Sequence, residues 1–187
     1  VSQETSKVFV LWIWILLGSS LIGNLLSRPR WTNCPLDVRS VRTFPYKKNI
    51  PAYLEYGRRM RSGFAFQMRA MVAQNASLIK KFKQGEYRGH KEQFKADTDE
   101  FSSVLLDSIQ QFDGQMVPDV LLAEHTNIAI CHRLCYESNL LLIQAYKAEG
   151  AEQKLLVRQA ENKMKEAWKY GDWGVRQFFL DWPKIPT

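Results

Sequence analysis

The 187-residue chain contains only three cysteines, Cys34, Cys131 and Cys135, too few for a disulfide scaffold. Cys131 and Cys135 stand one helical turn apart, where side chains adjoin but disulfide geometry is awkward, so reduced and packed thiols are expected. No Gly-x-Gly-x-x-Gly, P-loop, Gly-x-Ser-x-Gly or His-Glu-x-x-His string occurs, which argues against the common nucleotide-binding, hydrolase and zinc-protease classes. Strand-like alternation of any length is also missing, and the expected fold class is all-α.

What is present begins with residues 8–26, VFVLWIWILLGSSLIGNLL, an uncharged apolar run. At about 1.5 Å per residue a helix of this length matches a bilayer core, and a single transmembrane helix is expected after the short polar segment 1–7. The run lacks His and carboxylates, so no residue in it suits haem ligation, proton relay or quinone chemistry. Gly18, Ser19 and Gly23 give it a small-residue face on which another helix could pack closely. The chain begins at Val1 rather than Met, so either a presequence has been removed, as expected of an organelle-imported protein, or the start lies upstream of Val1.

Charge is distributed unevenly along the chain. Residues 27–95 carry 16 Lys/Arg against 4 Asp/Glu, a balance of +12, whereas residues 96–187 carry 9 against 14, a balance of −5. One lysine precedes the apolar run, and Arg28, Arg30, Arg39, Arg42, Lys47 and Lys48 follow it. The positive-inside rule then places the C-terminal part on the matrix, stromal or cytoplasmic side. Residues 27–50, with Pro29, Pro35 and Pro45 and no helical period, read as an extended juxtamembrane strap over partners.

The remaining sequence predicts a roughly four-helix domain over 51–170. Pro51 suits a helix start, and apolar residues recur from Tyr53 to Phe82 at steps of three, four and seven. Residues 90–112 form the second helix, with Asp97 as an alternative start because Glu100 stands at capping-box spacing. A third helix opens at Pro118 and stops at Gly150, and a charged fourth covers 151–170. Residues 144–170 resemble a single tetratricopeptide-type hairpin, without that family's repeat period, and no function is carried over. Residues 171–187 form an aromatic tail whose Trp173, Phe178, Phe179 and Trp182 either fold back or dock into another subunit.

Three clusters invite a chemical reading. Cys131-His132-Arg133-Leu134-Cys135, with His125 seven residues before His132, lacks the convergent ligands zinc needs, and packed thiols beside a surface histidine are expected. Glu124 and His125 have no nucleophile placed with them and read as polar residues on the exposed part of a long helix. Asn75-Ala76-Ser77 matches a glycosylation sequon but falls inside a predicted helix. No catalytic, cofactor or metal residue is therefore assigned.

Arg58, Arg61 and Arg69, with Arg28 and Arg30 before them, form a basic stripe suited to anionic lipid such as cardiolipin, or to an acidic neighbouring subunit. Nucleic acid is disfavoured, because the interleaved aromatics follow helix-core spacing rather than a stacking platform. The expected role is a non-catalytic accessory subunit of a large organellar membrane complex. A mitochondrial respiratory complex or ATP synthase of the inner membrane is the first choice, and a thylakoid complex the alternative. A membrane-anchored adaptor recruiting soluble partners is the rival role, and no small-molecule substrate is expected.

Overall fold

Asn49 starts the first long rod by accepting a hydrogen bond from the Ala52 N–H at 3.2 Å, with Pro51 in the first turn, where its missing N–H costs nothing. The computed structural model describes residues 41–182. Helix α1, Ile50–Arg59, runs into a π turn, Met60–Phe64, and continues as α2, Ala65–Gln84. Ser62 Oγ donates to the Arg58 carbonyl at 2.8 Å inside this wider turn, in keeping with the tendency of Ser hydroxyls to disturb a helix ladder. Met60 and Phe64 still face inward across it.

Gly85 ends α2 in the left-handed region (φ 77°), with the Glu86 N–H donating to Lys81 O and the Gly85 N–H to Phe82 O. This is a Schellman cap, and the missing Cβ makes the conformation cheap. Helix α3, Lys91–Asp113, follows a short turn. Asp97 lies within α3, so the alternative start there is not used.

Residues 43–44 (β1, Thr43–Phe44) and 117–118 (β2, Val117–Pro118) make a two-residue parallel bridge, the one strand pairing among the described residues. The Val117 N–H donates to Arg42 O at 2.9 Å, and the Tyr46 N–H to Asp119 Oδ1 at 3.2 Å. The expected strap therefore turns out, over 41–49, to be fastened to the domain's own α3–α4 connection. Pro118 is extended (ψ 134°) rather than helical, and α4, Leu122–Lys147, starts only after a 3-10 turn, Asp119–Leu121.

Helix α5, Gly150–Asp181, follows two residues later, so Gly150 opens it instead of closing α4. Gln153 Nε2 donates to Ala145 O (3.1 Å) and Ala148 O (3.0 Å), tying the two helix ends together. At 26 and 32 residues, α4 and α5 are far longer than the helices of a tetratricopeptide hairpin. The tail expected from 171 is a continuation of α5 as far as Asp181.

The domain is mostly helical and its core lies where α4 meets α5, with α2 and α3 packed around them. Close approach of α4 and α5 rests on small residues. Ala160, Ala167, Gly171 and Gly174 all lie buried on the inner face of α5. Polar side chains also tie the helices together: Ser138 Oγ donates to Ala160 O at 2.8 Å, and Asn139 Nδ2 to Thr98 O and Ser102 Oγ. Asn75 is fully buried and donates to Cys135 O at 3.2 Å, so the sequon asparagine is a core residue.

Among the described residues no helix is long and apolar enough to cross a membrane. The expected transmembrane helix at 8–26, with Gly18, Ser19 and Gly23, lies outside the described residues, as do Arg28, Arg30, Cys34, the strap over 27–40 and the chain end at 183–187.

Candidate functional site

The cluster nearest to a reactive centre lies at the start of α4 and is sealed inside the core. Glu124 and His125, expected on an exposed stretch, are 5% and 1% accessible, and His132, expected at the surface, is fully buried. Both expectations fail for the same reason. The N-terminal half of α4 is covered by α1 through Tyr56 and by α3 through Phe112, so more than one helical face turns inward. Phe112 stacks on His125 with ring centroids 4.4 Å apart and sets its edge toward His132 at 5.1 Å.

The Tyr56 hydroxyl lies 2.8 Å from His125 Nδ1. With both groups neutral, the hydroxyl donates to that nitrogen when the imidazole proton sits on Nε2. Burial holds the His125 pKa down to about 4, helped by the Arg133 guanidinium. Burial, then His125 and Arg133, holds His132 down to about 3. Burial, with the nearby Glu124 carboxylate, pushes the Tyr56 hydroxyl well above its ordinary range. His132 makes no hydrogen bond through either ring nitrogen.

Cys131 and Cys135 are free, buried thiols. Cys131 is pushed well above the usual thiol range, first by its hydrogen bond with Cys135 and then by burial, which keeps it an unreactive S–H. Among the described residues no three His, Cys, Asp or Glu side chains are grouped to hold a metal ion. Within this cluster His125, His132 and Cys131 are thus held neutral, and the two histidine rings serve as packing surfaces for Phe112.

Arg58, Arg61 and Arg69 are all solvent-exposed along α1, the π turn and α2. Arg58 shares Glu55 with Arg59, at 3.4 and 3.0 Å. The aromatic residues expected in the tail divide between two environments. Phe178 is fully buried, and Trp182 stacks on it at 5.7 Å with its indole occupying the space a Cβ at Gly57 would need. Trp173 and Phe179 remain 45% and 48% exposed, beside Leu180 at 68%.

A second feature has no counterpart in the sequence reading. Where the α2–α3 turn meets the ends of α4 and α5, a cleft of about 740 Å³ opens over Phe82, Tyr87 and Tyr146. Lys83, Arg88, Lys154 and Arg158 surround it, with Glu161 as its one carboxylate. These cations come from two stretches far apart in the chain, 83–88 and 154–158, and only Lys154 and Arg158, an i,i+4 pair on one helix, could have been linked by spacing.

Compared with family models, curated proteins and solved structures, the chain matches none.

Proposed function

We propose that the chain is a non-catalytic structural subunit of a membrane complex. Residues 8–26 would hold it in the bilayer, and the helical domain would meet neighbouring subunits. The observation that best supports this reading is the two-sided C-terminal half of α5. Its inner face is locked into the core by Gly174, Val175 and Phe178, while Trp173, Phe179 and Leu180 face outward. Large apolar side chains on a rigidly anchored helix suit a docking surface. The neutral, enclosed state of His125, His132 and Cys131 further favours a role through surfaces over one through chemistry.

The setting proposed is the mitochondrial inner membrane, and the charge pattern after residue 26 supports placing the domain on its matrix side. A respiratory complex or ATP synthase is the first candidate and a thylakoid complex the second. The test is native-gel migration after mild detergent extraction, with mass spectrometry of the co-migrating proteins. A structural subunit runs with a large assembly; recovery of the chain alone would refute that role and favour a transient adaptor.

A further inference from the structure

The basic cleft is built by the backbone rather than by chance proximity of long side chains. Gly85 and Gly89 both take positive φ (77° and 75°), and the turn between them is pinned by Tyr87, whose hydroxyl donates to Asp97 Oδ2 at 2.7 Å. The Tyr87 ring sets its edge against Phe94 at 5.1 Å, and Phe94 stacks on Tyr146 at 4.3 Å. With Tyr87 held, Arg88 crosses over Gly85, its Nε 3.1 Å from where a Cβ would stand. A side chain at 85 would therefore displace the guanidinium. The opposite wall is α5, where Lys154, Arg158 and Glu161 fall at i, i+4 and i+7 on one face beside the buried Val157.

The charges in the cleft do not cancel. Glu161 is committed to Lys83 at 2.6 Å. Arg88, Lys154 and Arg158 make no ion pair among the described residues. Three uncompensated cations thus surround a floor of aromatic rings, in a volume typical of small-molecule sites. Guanidinium groups pair with phosphate through two donors at once, and ring faces accept a planar or apolar body.

We propose that this cleft binds a phosphate-bearing organic anion, its phosphate held by Arg88, Lys154 and Arg158 and its ring or acyl body laid on Phe82 and Tyr146. A phospholipid headgroup and a soluble nucleotide share that chemistry. The site goes beyond the structural role proposed above and does not depend on it.

The test is titration calorimetry on the full chain in neutral detergent. The probes are dihexanoyl phosphatidic acid, ADP, inorganic pyrophosphate as bare charge, and dihexanoyl phosphatidylcholine as the zwitterionic control. Saturable 1:1 binding is expected for phosphatidic acid or ADP, the one that binds identifying the lipid or the soluble source and binding more tightly than pyrophosphate or phosphatidylcholine. R88Q/R158Q, both at exposed positions, should weaken it at least about tenfold, the loss expected for charge-assisted hydrogen bonds. Glu161→Gln, which removes the one carboxylate and frees Lys83, should tighten it. Lys165→Gln, an exposed position outside the cleft, should change nothing. Absence of saturable binding by both organophosphates, pyrophosphate binding as tight as theirs, or unchanged affinity in R88Q/R158Q with native circular dichroism would each overturn the proposal.

Discussion

Gly174 on α5 faces the Glu124 backbone carbonyl on α4 with no room for a side chain between them. A Cβ at 174 would stand 3.0 Å from that oxygen and 2.9 Å from Ile128 Cγ1. The oxygen belongs to a helix backbone and has no rotamer through which to move aside. Gly174→Ala gains roughly 1 kcal/mol of helix propensity but loses about 1–3 kcal/mol to overpacking. A lower thermal midpoint is therefore expected by circular dichroism. Gly63→Ala, where nothing lies within 4 Å of the added carbon, is the control and should be tolerated. Equal midpoints for the two variants would show that α4 and α5 are less tightly apposed than this.

The same glycine shows where sequence reading stops. The helices over 50–84 and 91–113 were legible from apolar period and capping residues, because a helix that buries one stripe displays that stripe in its sequence. Gly171 and Gly174 suggest a helix end when read locally, and only the 7, 4 and 3 spacing through Ala160, Ala167, Gly171 and Gly174 marks them as a packing face. His125 and His132 carry no local sign of burial, since what covers them, Tyr56 and Phe112, comes from other helices. The basic cleft was hidden for the same reason, being assembled from two stretches far apart in the chain, 82–89 and 146–161.

The buried histidines make stability depend on acid. Both folded-state pKa values, about 4 for His125 and about 3 for His132, lie below the ordinary 6.5. The unfolded chain therefore takes up protons that the folded chain refuses. The stability of neutral burial is complete above about pH 6.5 and falls as the pH drops toward 4, by roughly 1.4 kcal/mol per unit for each histidine. Urea unfolding at pH 7, 6, 5 and 4.5 reads this slope directly. His132→Leu should reduce it by about half. It should cost little at pH 7, because neither ring nitrogen of His132 has a partner to lose. A slope identical to wild type would mean that His132 is not held neutral.

Tyr56 and His125 should behave as a coupled pair. Tyr56→Phe leaves His125 Nδ1 buried without its partner 2.8 Å away, at a cost of about 1–3 kcal/mol. Replacing both, Tyr56→Phe with His125→Leu, removes the orphaned nitrogen as well. The double variant should therefore be less destabilised than the sum of the single ones. A double-mutant cycle from denaturant unfolding measures that difference, and strict additivity would show that the hydrogen bond contributes nothing.

The last turns of α5 serve both the fold and the proposed docking surface, and two kinds of variant separate these roles. Truncation after Tyr170 removes Gly171, Gly174, Val175 and Phe178, all of them buried, so it should unfold the domain. Phe178→Ala alone should cost about 3–5 kcal/mol. Trp173→Gln with Phe179→Gln changes two rings that are about half exposed, 45% and 48%, and should leave the thermal midpoint close to wild type. If those rings dock against a neighbouring subunit, this double variant loses co-migration with the assembly on a native gel while remaining folded. Co-migration equal to wild type would remove Trp173 and Phe179 from the interface and leave α5 with a purely internal role.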